Sequence, residues 1–98
     1  MKKQTAAECV KFEQIPNIGK AMAGDFVLLG MKTPRDLIGR DPWVLYTSLC
    51  KKTKCRQDPC VLDTFMAAVR FMEGSPPHPW WHYTEERKRV YGLQLEAE

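Results

Sequence analysis

Apolar residues recur at three- and four-residue steps along most of this chain, and nowhere do they alternate with polar ones between turn signals. That pattern predicts helices and no strands. The stretch from Lys20 to Leu29 gathers Met22, Ala23, Phe26, Val27 and Leu29 on one face. From Pro42 to about Lys52 the inward positions are Leu45, Tyr46, Leu49 and Cys50. From Pro59 to about Glu73 the stripe is longest: Val61, Leu62, Phe65, Ala68, Val69 and Met72. A short first helix is expected over Ala6 to Gln14, with Thr5 as its N-cap and Cys9 and Phe12 on one face.

Proline and glycine place the boundaries. Pro16 ends the first helix, because proline disfavours helical geometry in the residue before it. Gly30 stops the second as a C-terminal cap. Thr33-Pro34, Asp41-Pro42 and Asp58-Pro59 each read as an N-cap followed by proline in the first turn. The helix opened at Pro34 is brief and closes at Gly39. Gly74 to Pro79 reads as an extended linker, followed by Trp80-Trp81-His82-Tyr83. Thr84-Glu85-Glu86 starts a last helix expected to reach about Gly92, with the final six residues frayed.

Composition bounds the class. With 98 residues, 44% hydrophobic and 28% charged, one domain with one core is expected. No apolar run approaches the ~20 residues of a membrane span, and Met1-Lys2-Lys3 is followed by a polar stretch rather than a secretory one. A cytoplasmic protein without membrane contact is the expectation. The net charge of +3 suits a phosphate-bearing partner only weakly. Its distribution says more: Lys51, Lys52, Lys54 and Arg56 fall within six residues. Helix ends favour such cations as well.

The segment FEQIPNIGKAMAGDFVLLG, Phe12 to Gly30, carries the sharpest chemistry. A helix beginning just after Gly19, with lysine first, offers unpaired N–H groups and its positive dipole end to an anion. Phosphate is the anion such amides bind, whatever the base sequence. The alternative is that Pro16 to Gly19 is only a tight turn between antiparallel helices.

These residues resemble the helix-hairpin-helix motif, with Ile15-Pro16-Asn17-Ile18-Gly19 as the bend and Ala23 as the small residue four positions on. Gly30-Met31-Lys32-Thr33-Pro34-Arg35-Asp36-Leu37 resembles the segment that often follows it. From Phe12 to about Glu73 the chain also resembles a small bacterial family labelled pathogenicity-locus or mitomycin-resistance proteins. The departure is Asn17, where the motif has glycine; asparagine tolerates left-handed geometry but sets a side chain where a phosphate would approach. The resemblance implies DNA contact without sequence reading, and a repair-associated setting. Some copies of the motif serve only as packing or protein-contact modules.

The remaining constellations are weaker. Cys9, Cys50, Cys55 and Cys60 lack the paired spacing of a zinc site, and no metal or cofactor is expected. Cys50 and Cys60 fall on apolar positions, whereas Cys55 lies in a basic loop and is the more reactive thiol. A disulfide is not expected in a cytosolic chain. His78 and His82 read as exposed. Trp80, Trp81 and Tyr83 could stack on unpaired bases, meet a protein partner, or fold back over the core. No catalytic motif is present, and Asp41, Asp58 and Thr33 are accounted for as caps.

The expectation is therefore all-α: five or six short helices around a helix-hairpin-helix (SAM-like) core. Residues 1–74 would form that domain, and 75–98 a linker and helix packed on it. The expected function is non-sequence-specific DNA binding through Pro16, Asn17, Ile18, Gly19, Lys20 and Ala21, aided by Lys32, Arg35, Lys51, Lys52, Lys54 and Arg56. A protein-interaction module with a purely structural hairpin is the alternative. A nuclease or glycosylase fragment acting in a larger complex comes third.

Overall fold

The cap-plus-proline starts behave differently from one another in the computed structural model, which describes residues 2–97. Asp41 and Asp58 each accept the backbone N–H two residues on, from Trp43 and Cys60, both at 2.9 Å. True α-helices follow both aspartates. Thr33-Pro34 opens only a 3-10 turn, Pro34–Leu37. There the cap works from the other side: the Asp36 carboxylate accepts from Lys32 N–H at 2.7 Å and Thr33 N–H at 3.0 Å. Asp36 is the anchoring residue of that turn.

Among the described residues the chain is all-helical, with four α-helices: α1 (Lys20–Leu28), α2 (Pro42–Thr53), α3 (Pro59–Met72) and α4 (Thr84–Ala97). Four short 3-10 turns join them, at Ala6–Glu8, Phe12–Gln14, Pro34–Leu37 and Trp80–Tyr83. The expected first helix over Ala6 to Gln14 is thus two separate turns. Cys9 and Lys11, between them, are extended. Gln14 causes the break: its side-chain oxygen accepts from the N–H of Val10 and of Lys11, at 2.7 and 2.9 Å. The last helix runs past Gly92 to Ala97.

Helix α3 is the hub. Every residue from Leu62 to Val69 is buried, not only the expected stripe. The other helices and the Trp80–Tyr83 turn pack around it. Phe26 of α1 connects Phe12 to Phe65 of α3, with ring centroids 5.2 and 5.4 Å apart. Tyr83 and Leu95 join the same core, so the C-terminal quarter packs on the rest.

An aspartate inside that hub needs partners, because an unpaired buried charge costs several kcal/mol. Asp63 is wholly buried. It accepts from Arg87 Nε at 2.7 Å and from the Thr84 hydroxyl at 2.8 Å, which ties α4 to α3. Arg70, about two turns further along α3, pairs with Glu86 of α4. No helix among the described residues is long and apolar enough to cross a membrane.

Candidate nucleic-acid interface

The bend from Ile15 to Gly19 is anchored at both ends. Ile15 and Ile18 are completely buried, and Ile18 N–H donates to Ile15 O at 3.1 Å. Between them stand proline and a residue with φ of +74°, Asn17, the order of a type II turn. The bend also binds a cation of its own. The Lys2 ammonium donates to the carbonyls of Glu13 (2.8 Å), Ile15 (3.0 Å) and Ile18. Burial pulls that ammonium's pKa below the usual lysine value, against the opposing pull of Glu13.

Directly after the bend, α1 starts without a side-chain cap. Among the described residues, the N–H groups of Gly19, Lys20 and Ala21 donate to no protein acceptor. All three residues are exposed, and a Cβ built on Gly19 would meet nothing within 4 Å. The first turn of α1 holds no acidic residue. Lys20 has no ion-pair partner among the described residues. Three open amides, a helix dipole and one unpaired cation thus face outward together.

Asn17 does not project into this opening. Its side-chain N–H donates to His78 O at 2.8 Å, and its side-chain oxygen accepts from Trp80 N–H at 3.2 Å. The side chain expected to crowd an approaching anion is folded back to hold the proline-rich segment. Of the two histidines expected to be exposed, His82 is exposed and His78 is not. His78 is half-buried and stacks on His82, with ring centroids 4.0 Å apart. Trp80 is half-buried and Tyr83 buried, while Trp81 is 63% exposed.

The basic residues fall into separate places. Lys51, Lys54 and Arg56 line one open cleft with Thr47, Cys50 and Cys55. Arg56 continues into a neighbouring cleft beside Arg87 and Lys88, where it donates to Leu95 O at 2.7 Å. Arg35 lines a third cleft with Ala6, Ala7, Ile38 and Met72. Lys32 and Lys52 are exposed. None of the three clefts includes a residue of the bend.

Sequence reasoning missed Lys2, Asp63 and both partners of Asn17. An acid within the apolar run of α3 was the available signal for Asp63. Nothing local marks Lys2, whose nearest target lies 11 residues away. No group of three or more potential metal ligands occurs among the described residues, and the four cysteines are free thiols.

The sequence model of a family described as "Pathogenicity locus" matches residues 5–89. A mitomycin resistance protein, McrB, of Streptomyces lavendulae is 41% identical over 86 residues, covering 88% of this chain and 82% of that one. No solved structure matches.

Proposed function

The chain belongs to the pathogenicity-locus family, and on that footing we propose that it binds the phosphate backbone of DNA without reading base sequence. The observation that carries this reading is the uncapped, exposed start of α1 beside Lys20. We read Phe12 to Gly30 as a shortened helix-hairpin-helix whose first arm is the single turn Phe12–Gln14. The amides of Gly19, Lys20 and Ala21 hold a phosphate oxygen, and the Lys20 ammonium adds its charge. Pro16, Asn17 and Ile18 shape the bend rather than touch the anion.

One such bend meets few phosphates, so affinity falls in the ~10⁻⁴ to 10⁻⁶ M range of non-specific binding. Lys32, Arg35, Lys51, Lys52, Lys54 and Arg56 supply further contacts where the nucleic acid bends or extends to reach them. A repair-associated setting, and a share in the resistance named for the Streptomyces relative, belong to the same proposal. Fluorescence anisotropy with short duplex and single-stranded oligonucleotides tests it. Binding should weaken steeply with salt and vary little among sequences. A flat titration at low salt overturns it.

Trp81 favours a second reading. A large aromatic left 63% exposed against Trp80, with rings in edge contact at 5.6 Å, suits a protein partner. Replacing Trp81 then abolishes partner capture and leaves DNA affinity unchanged.

A further inference from the structure

Three helices end in the same hydrogen-bond pattern, and at one of those ends the two residues joined by the closing backbone bond are cysteines, with the Cys55 thiol resting on Arg56 O at 3.6 Å. At the end of α1, Met31 N–H donates to Phe26 O and Gly30 N–H to Val27 O, around a glycine at φ +92°. At the end of α3, Ser75 bonds to Arg70 and Gly74 to Phe71 in the same way. At the end of α2, Cys55 N–H donates to Cys50 O at 3.1 Å and Lys54 N–H to Lys51 O at 3.3 Å. Here Lys54 takes the left-handed position at φ +55°. In this motif the side chains of the two residues joined by the longer-range bond frequently meet. The α1 end illustrates it: Phe26 and Met31 are both buried in the core. Cys50 and Cys55 hold the equivalent places at the end of α2.

A disulfide needs its Cα atoms roughly 4.4–6.8 Å apart. The backbone bond from Cys55 N–H to Cys50 O makes the two residues direct neighbours in space. Both cysteines line the same open cleft, together with Lys51, Lys54 and Arg56. Cys55 is exposed; Cys50 is half-buried, and its sulfur accepts from Gln57 N–H at 3.4 Å.

We propose that Cys50 and Cys55 form a redox-active dithiol that exchanges with an anionic low-molecular-weight disulfide. The Cys55 sulfur, as thiolate, attacks one sulfur of the small disulfide. A mixed disulfide forms, and the first small thiol leaves with the proton Cys55 gave up. The Cys50 sulfur then attacks Cys55, the protein disulfide closes, and the second small thiol leaves with the proton of Cys50. Two protein thiols are oxidised and one disulfide is reduced to two thiols, so atoms and electrons balance. The three cations select a negatively charged reactant. This activity is independent of DNA contact at α1.

The test incubates the reduced full-length chain with glutathione disulfide, quenches with acid, and maps linkages by proteolysis and mass spectrometry. The expected product is a Cys50–Cys55 cross-link without retained glutathione. The Cys50→Ser variant should keep a lasting glutathione adduct on Cys55, and Cys55→Ser should react roughly tenfold more slowly. Glutathione disulfide should react several-fold faster than the cationic disulfide cystamine, with the difference shrinking as salt rises. Should a variant fail to fold, phenylarsine oxide, which bridges two neighbouring thiols, tests the native chain directly: one equivalent should protect both Cys50 and Cys55 from alkylation. A lasting adduct on Cys55 in the native chain, a cross-link to Cys9 or Cys60, or independent alkylation of Cys50 and Cys55 overturns the dithiol. Equal or faster reaction with cystamine overturns the anionic class of reactant.

Discussion

The carboxamide of Asn17 spans two backbone groups of a segment some sixty residues later, donating to the carbonyl of His78 and accepting from the N–H of Trp80. One side chain therefore fixes both the bend before α1 and the seat of the aromatic turn. Its left-handed backbone (φ +74°) and its two bonds are separable contributions. Asn17→Gly keeps the permitted φ and loses both bonds, at a cost of about 1–2 kcal/mol. Asn17→Ala adds backbone strain of about 1 kcal/mol. Urea denaturation of the two variants should show that order, and His78 and Trp80 NMR resonances should move in both.

Gly19 distinguishes a working anion site from a mere turn. Its φ of −98° is open to any residue, and an added Cβ meets no atom. Gly19→Ala should leave stability within about 0.5 kcal/mol. It should also weaken DNA binding, because a methyl then stands where the phosphate meets the amides. Lys20→Ala should weaken binding to all sequences alike and reduce the salt slope by about one. If both variants bind like the native chain, the bend is structural only.

The buried pair of Asp63 and Arg87 predicts a large, non-additive effect. Arg87→Ala leaves a wholly buried carboxylate with the Thr84 hydroxyl as its remaining partner, at a cost of about 3–5 kcal/mol. Asp63→Ala together with Arg87→Ala should cost less than the two singles added. A denaturation cycle on the four proteins measures the coupling.

Acid should loosen the helix starts before it unfolds the core. Backbone N–H bonds hold the carboxyl of Asp36 below its usual pKa, chiefly from Lys32 and Thr33. The N–H of Cys60 does the same for Asp58, and the Thr5 hydroxyl for Glu8. A carboxyl depressed on folding binds fewer protons in the folded chain than in the unfolded one. Its stabilisation is present above the unfolded pKa, about 4, and is lost as pH falls through the lower folded value. Stability should accordingly decline below about pH 4. Asp36→Asn with Asp58→Asn should flatten that decline, measured by thermal melts between neutral and acidic pH.

Local chemistry made the punctuation readable. Asp41, Asp58 and Gly30 act within two or three residues of themselves, and they stand where the pattern put them. The Ala6 to Gln14 stretch misled because helical spacing over nine residues is outweighed by one glutamine bonding back to the chain. Periodicity also under-described α3. A stripe of six apolar residues reads as one buried face, but Thr64, Met66, Ala67 and Phe71 are buried by neighbours that only tertiary packing supplies. The site divides along the same line. The position of the bend is written in Pro16 to Gly19, whereas the grip of Lys2 and the reach of Asn17 depend on distant residues that no window contains.

Because α3 is enclosed along eight consecutive residues, Leu62 to Val69, that stretch has no side left to offer a visitor. Whatever this protein meets must be met by the shell: the bend, the basic clefts, the tryptophan turn. Relatives that acquire new partners should therefore vary in those outer pieces while the central rod keeps its sizes and shapes.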